Sequence, residues 1–132
     1  MPNKTDSLPI DKSPEIRILA MPADTNAAGD IFGGWLMSQV DIAGSIVAHR
    51  FAGGRVVTVS VNDFVFIKPV SVGDLVSLFA ELTNVGNTSM QVEVTAYAER
   101  KRGIAECYRV ASAVLTYVAV DQDRKPRPVD PD

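Results

Sequence analysis

Met21-Pro-Ala-Asp-Thr-Asn26-Ala-Ala-Gly29-Asp-Ile-Phe-Gly33-Gly34-Trp-Leu-Met-Ser-Gln-Val-Asp41-Ile-Ala-Gly44 reads as a glycine-rich turn feeding an apolar helix that carries one carboxylate. From Gly34 to about Phe51 the residues Leu36, Val40, Ala43, Val47 and Phe51 recur at helical spacing. Trp35, Met37, Ile42 and Ile46 fill the remaining sides, so the helix is expected to be buried nearly all round. The face around Asp41 differs: its helical neighbours Gly34, Met37, Ser38, Gly44, Ser45 and Ala48 are nearly all small, which suggests room for a ligand or a second backbone. Gly53-Gly54 stops the helix, with His49 and Arg50 in the last turn, where positive charge is favoured.

Outward from this helix the chain reads as strands. Glu15 to Ala20 is a short first strand closed by Pro22. Arg55 to Ile67 alternates Val57, Val59 and Val61 against Thr58, Ser60 and Asn62. Leu75 to Val85 alternates again, and Gly86-Asn87 makes a tight hairpin connection into Ser89 to Arg100. In that strand Met90, Val92, Val94, Ala96 and Ala98 share one face, the mark of a sheet buried on one side. Lys101-Arg102-Gly103 turns the chain into a last strand, Ile104 to Val120. One strand, a long helix and four strands joined by short turns predict an α+β domain in which a curved antiparallel sheet wraps the helix. The domain is expected at residues 15–121, between a mobile Pro-containing arm at 1–14 and a charged, Pro-containing tail at 122–132.

The 132 residues suffice for one domain with a real core. A net charge of -3 argues against a general nucleic-acid binder. Seven of the 13 Lys and Arg nevertheless fall between Arg100 and Arg127, a patch suited to a small polyanion. One cysteine, Cys107, and one histidine are too few for an internal disulfide or a soft-ligand zinc site. With no apolar signal segment and no run of membrane-spanning length, a soluble cytosolic protein without a membrane partner is expected.

Asp41 is the strongest candidate for chemistry, because an unpaired carboxylate in an apolar helix is costly. Its ordinary explanation is a helix side that faces solvent or a partner chain. Gly33 and Gly34 open the helix, where free backbone NH groups and the helix dipole can stabilise an oxyanion; plain turn glycines are the alternative. No Gly-Lys-Ser/Thr follows them and no strand with a dinucleotide fingerprint precedes them, which removes support for nucleotide cleavage. Asn26 can orient a carboxylate or water, or serve only the turn. His49 is best explained as a helix C-terminal cation, and Cys107 as a small core residue. Lys125 and Arg127, with the Gly86-Asn87-Thr88-Ser89 turn, form a second candidate site for a phosphate.

The stretch from Pro22 to Ala43 resembles the signature of the bacterial YciA-like acyl-CoA thioesterases. Val56-Val-Thr58-Val, Lys68-Pro69-Val-Ser-Val-Gly73-Asp74, Gly86-Asn-Thr88-Ser89, Tyr117-Val-Ala-Val and Lys125-Pro-Arg127-Pro128 fit the same family in order, so the likeness spans residues 14–129. The resemblance implies a hotdog fold, pairing of two chains through a continuous sheet, and further assembly as a trimer of dimers with active sites between subunits. It implies that Asp41 is the general base or nucleophile, that Asn26 faces it across the dimer, and that the Gly33, Gly34 and Trp35 backbone polarises the thioester carbonyl. Coenzyme A, part of substrate and product rather than a cofactor, would be held by Gly86, Asn87, Thr88, Ser89, Lys125 and Arg127. Where this chain has Asn87 the family usually has Arg, which replaces a bidentate cation with one neutral donor.

The function implied is hydrolysis of acyl-CoA to a free acid and coenzyme A, with no metal or cofactor. Whether Asp41 forms an anhydride or activates water is open, and either role needs the carboxylate, so activity should fall on acidification. A non-catalytic acyl-CoA binding or sensing module is the leading alternative. A hotdog dehydratase is weaker, because the lone His49 is badly placed for it.

Overall fold

The computed structural model describes residues 6–100 and 106–130. Strand β1 (Ile16–Leu19) is followed by a 3₁₀ turn (Pro22–Asp24) and helix α1 (Gly33–Ala52). Strands β2 (Val56–Phe66), β3 (Leu75–Val85), β4 (Ser89–Arg100) and β5 (Glu106–Ala119) complete the order. The turn expected at Lys101-Arg102-Gly103 and the strand start at Ile104 lie outside the described residues.

All strand pairs are antiparallel, and the sheet order is β1-β3-β4-β5-β2. Only β3, β4 and β5 are chain neighbours in that order, so both edge strands are recruited from sequence far from their partners. The alternating face of β4 is buried as expected: Met90, Val92, Val94, Ala96 and Ala98 are closed to solvent. They pack with Leu36, Val40, Ala43 and Ala48 of α1 into one core. Gly53 ends α1 in the left-handed conformation (φ 67°), donating its NH to the His49 carbonyl at 2.9 Å.

One expectation is corrected. Helix α1 is not buried all round: Met37, Ile42 and Phe51 are 39%, 48% and 52% exposed in the single chain. One sheet covers one side of a helix, and apolar periodicity does not say which surface covers the other. The described part of the N-terminal arm makes contacts with the domain. Pairing of β2 with β5 stops at Ala111, and beyond it Asp6 donates its NH to the Cys107 carbonyl (2.8 Å) and accepts from the Arg109 NH (2.7 Å). Lys12 also pairs with Glu81 at 3.2 Å.

The tail, too, folds back. The Asp121 carboxylate accepts the NH groups of Asp123 and Lys125, closing a turn that bridges Val120 to Pro126 and buries Val129 in the core. Asp74, buried under the 68–74 turn, accepts from Nε and Nη2 of the Arg100 guanidinium at 3.0 and 2.9 Å.

Candidate active site

Asp41 lies two turns into α1 and is half-buried against β2 and β5. Its Oδ1 accepts two hydrogen bonds, from the Thr58 hydroxyl at 2.8 Å and the Tyr117 hydroxyl at 3.0 Å. The Tyr117 hydroxyl also lies 2.8 Å from the backbone carbonyl of Asp41. Thr58 and Tyr117 are cross-strand partners, so a single register position delivers both hydroxyls to one carboxylate oxygen. Among the described residues, nothing donates to Oδ2. Burial and then the Asp41 charge hold the Tyr117 phenol far above the ordinary tyrosine range, so it is a permanent donor.

Gly44 explains part of the small-residue face around Asp41. A Cβ there would overlap the Tyr117 hydroxyl and sit 3.1 Å from two ring carbons. The space read as room for a ligand or second backbone is, at this position, the seat of the Tyr117 ring.

At the start of α1, the Trp35 and Leu36 NH groups return to the Phe32 carbonyl. Among the described residues the Gly33 and Gly34 NH groups have no backbone acceptor. A Cβ on Gly33 would stand 3.2 Å from the Phe66 ring, whereas one on Gly34 would meet nothing within 4 Å. Beside these amides is an apolar cleft of about 250 Å³ lined by Ile31, Phe32, Leu36, Phe66 and Val70. Asn26 organises the preceding loop: its Oδ1 accepts from the Ala28 NH at 2.9 Å and the Asp30 NH at 3.1 Å. Any further contact by this side chain therefore falls to its NH₂ group.

The second expected cluster comes together at the other end of the helix. The Gly86 NH closes the hairpin on the Ser89 carbonyl at 2.8 Å, Thr88 accepts from the Ala119 NH, and the Asn87 carbonyl accepts from the Val129 NH. Lys125 is exposed there. Arg127 is engaged: its guanidinium reaches the carbonyls of Ala52 (2.9 Å), Pro128 (3.0 Å) and Val120 (3.3 Å), which places a cation on the C-terminus of α1. His49 is exposed in the last helical turn, and Cys107 is buried with its thiol pushed up by desolvation. Among the described residues no group of three or more His, Cys, Asp or Glu is placed to hold a metal, and no helix is long and apolar enough to cross a membrane.

The family model of the thioesterase superfamily matches residues 28–105, more than half of the chain. The chain belongs to this superfamily. It is 50% identical over 116 residues to the acyl-CoA thioester hydrolase YciA of Salmonella typhimurium, spanning 86% of this chain and 87% of that protein. A hexameric hotdog fold thioesterase of Campylobacter jejuni superposes with a TM-score of 0.85 at 48% identity, covering 89% of this chain and 90% of that one. The curved sheet around one helix is therefore the hotdog fold.

An acyl-CoA hydrolase of Staphylococcus aureus has been solved as aspartate-to-alanine and threonine-to-alanine mutants. These superpose with TM-scores of 0.78 and 0.77 at 32% identity, covering 86% of this chain and 69% of theirs. The two residues replaced in that protein are 17 positions apart, the separation of Asp41 and Thr58 here. Reading the sequence assigned no role to Thr58 or Tyr117. Each stands in a motif that fits the family, yet their convergence on Asp41 depends on the pairing of β2 with β5, which local patterns do not reveal.

Proposed function

We propose that this protein hydrolyses acyl-CoA thioesters to a free acid and coenzyme A, with Asp41 as the acting carboxylate. The observation that carries this reading is the Asp41–Thr58 pair. A carboxylate is held by a hydroxyl at 2.8 Å with one oxygen left without a donor among the described residues, at the spacing of the two residues replaced in the S. aureus hydrolase. In the simplest sequence Oδ2 of Asp41 takes a proton from water as the water oxygen attacks the thioester carbon. The tetrahedral oxyanion is stabilised by the Gly33 and Gly34 NH groups. Its collapse expels the coenzyme A thiolate, which receives the proton. Coenzyme A enters as part of the substrate, and these steps call for no cofactor.

Asp41 and Gly33 are eight residues apart on one helix, a rise of about 12 Å. One thioester carbonyl cannot touch both in the same chain, which supports a site completed by a second copy. Such a copy would bring its helix start, and Asn26 just before it, to the first chain's Asp41. Exposed apolar side chains in the single chain suit this pairing: Met37 and Ile42 on α1, and Val57, Val59 and Val61 on edge strand β2. Three such dimers would make a hexamer, the state named for the C. jejuni relative. Near the tail, Lys125 with the Gly86, Asn87, Thr88 and Ser89 turn would hold the coenzyme A phosphates. Arg127, committed to carbonyls, would anchor that surface on the helix. The cytoplasm, where a lone Cys107 stays reduced, is the proposed compartment.

Thiol release from short, medium and long acyl-CoAs by wild type and Asp41→Asn tests this. The wild type should turn over, and the variant should lose on the order of 10²–10⁴-fold. An Asp41→Asn protein that is folded and as fast as wild type would sink the reading. Tight acyl-CoA binding by the wild type without turnover would favour a sensor instead.

A further inference from the structure

We infer that Tyr117 is a positioning residue for the reaction, and that its hydroxyl fixes which oxygen of the Asp41 carboxylate acts on the thioester. The inference rests on the reading of Asp41 given above. A phenol has one proton. Here that proton faces both the backbone carbonyl and Oδ1 of the same residue, at 2.8 and 3.0 Å. The side chain of Asp41 is thereby fastened to its own helix turn. With Thr58 on the same oxygen, Oδ1 carries two donors and Oδ2 none among the described residues. A carboxylate oxygen that accepts two hydrogen bonds is the weaker base, so Oδ2 is left as the reacting atom.

The fold is arranged around this contact. Gly44, one turn beyond Asp41, provides the opening in the helix surface that the Tyr117 ring occupies. Tyr117 is itself closed to solvent, so its hydroxyl is not a replaceable surface group. Of the elements packed against α1, β5 brings Tyr117 to Asp41 and β2 brings the uncharged Thr58. Neither β3 nor β4 brings a hydrogen-bonded or ion-paired group to it among the described residues.

Tyr117→Phe keeps the ring and deletes the hydroxyl. Measured on the full chain with a turned-over acyl-CoA, it should lower kcat on the order of ten- to a hundredfold while leaving KM nearly unchanged. A double-mutant cycle with Asp41→Asn separates positioning from general damage: in the Asp41→Asn background, Tyr117→Phe should cost almost nothing further. Equal losses in both backgrounds, or a wild-type kcat for Tyr117→Phe, would overturn the inference. If Asp41→Asn itself kept full activity, the underlying reading of Asp41 would fall instead. Should Tyr117→Phe melt early, Thr58→Val in the same cycle reads the remaining donor to Oδ1. Deleting that donor without a loss of kcat would also count against the inference.

Discussion

Replacing Gly44 by alanine should invert the usual effect of that change. In the middle of a helix, Gly→Ala ordinarily stabilises by about 1 kcal/mol, because alanine surrenders less backbone entropy on folding. Gly44 is buried, and an added methyl would overlap the Tyr117 hydroxyl and press on two ring carbons 3.1 Å away. The hydroxyl cannot simply rotate aside, since its oxygen is held by the ring at the position bonded to Asp41. Overpacking of this kind costs roughly 1–3 kcal/mol, so the net expectation is a loss of about 1 kcal/mol, a fall of a few degrees in Tm. Gly44→Ala should also lose activity, because the displaced hydroxyl leaves Asp41. Thermal or urea unfolding reads the first effect and thiol release the second. Gly44→Ala/Tyr117→Phe should recover part of the stability and none of the activity. A Gly44→Ala protein that melts higher than wild type and turns over normally would refute the packing of Tyr117 against α1.

The remaining predictions concern stability. Arg100→Ala should destabilise by about 3 kcal/mol in urea unfolding, because Asp74 is 1% exposed and would keep only the Ser71 NH at 2.8 Å among its described side-chain partners. Stability should also fall above about pH 10. The folded Tyr117 stays protonated while the unfolded tyrosine ionises, so this contribution is complete below the unfolded value and is lost as pH rises. Urea midpoints between pH 8.5 and 11, as a rough range around that value, should fall less steeply in Tyr117→Phe than in wild type.

Much of the fold was legible because its signals are local. Strands β3 and β4 run over Leu75–Val85 and Ser89–Arg100, the bounds their alternation predicts, and the left-handed Gly53 ends the helix where the glycine pair places its stop. Asp41 was legible as an oddity, a carboxylate in an apolar run. Its partners were not: Thr58 and Tyr117 are ordinary strand residues until β2 and β5 pair, 59 residues apart along the chain at that position. The small residue at 44 was legible as space but not as space already filled. Met37, Ile42 and Phe51 misled for a related reason, since periodicity reports that a side of a helix is apolar without naming what lies against it. The tail's charge and prolines did not reveal the Asp121 turn, beyond which Val129 is buried.

The sheet order has a consequence for how the molecule is made. Strand β5 lies between β4 and β2, yet it is synthesised after both. Until β5 joins, β2 has no neighbour in the sheet, and the Asp41 carboxylate lacks the Tyr117 hydroxyl, with only the Thr58 hydroxyl of β2 itself to pair with. Docking of β5 closes the sheet and supplies Tyr117 in one step. Closure of the sheet and completion of the Asp41 centre thus depend on the same strand, and a chain lacking β5 would have neither.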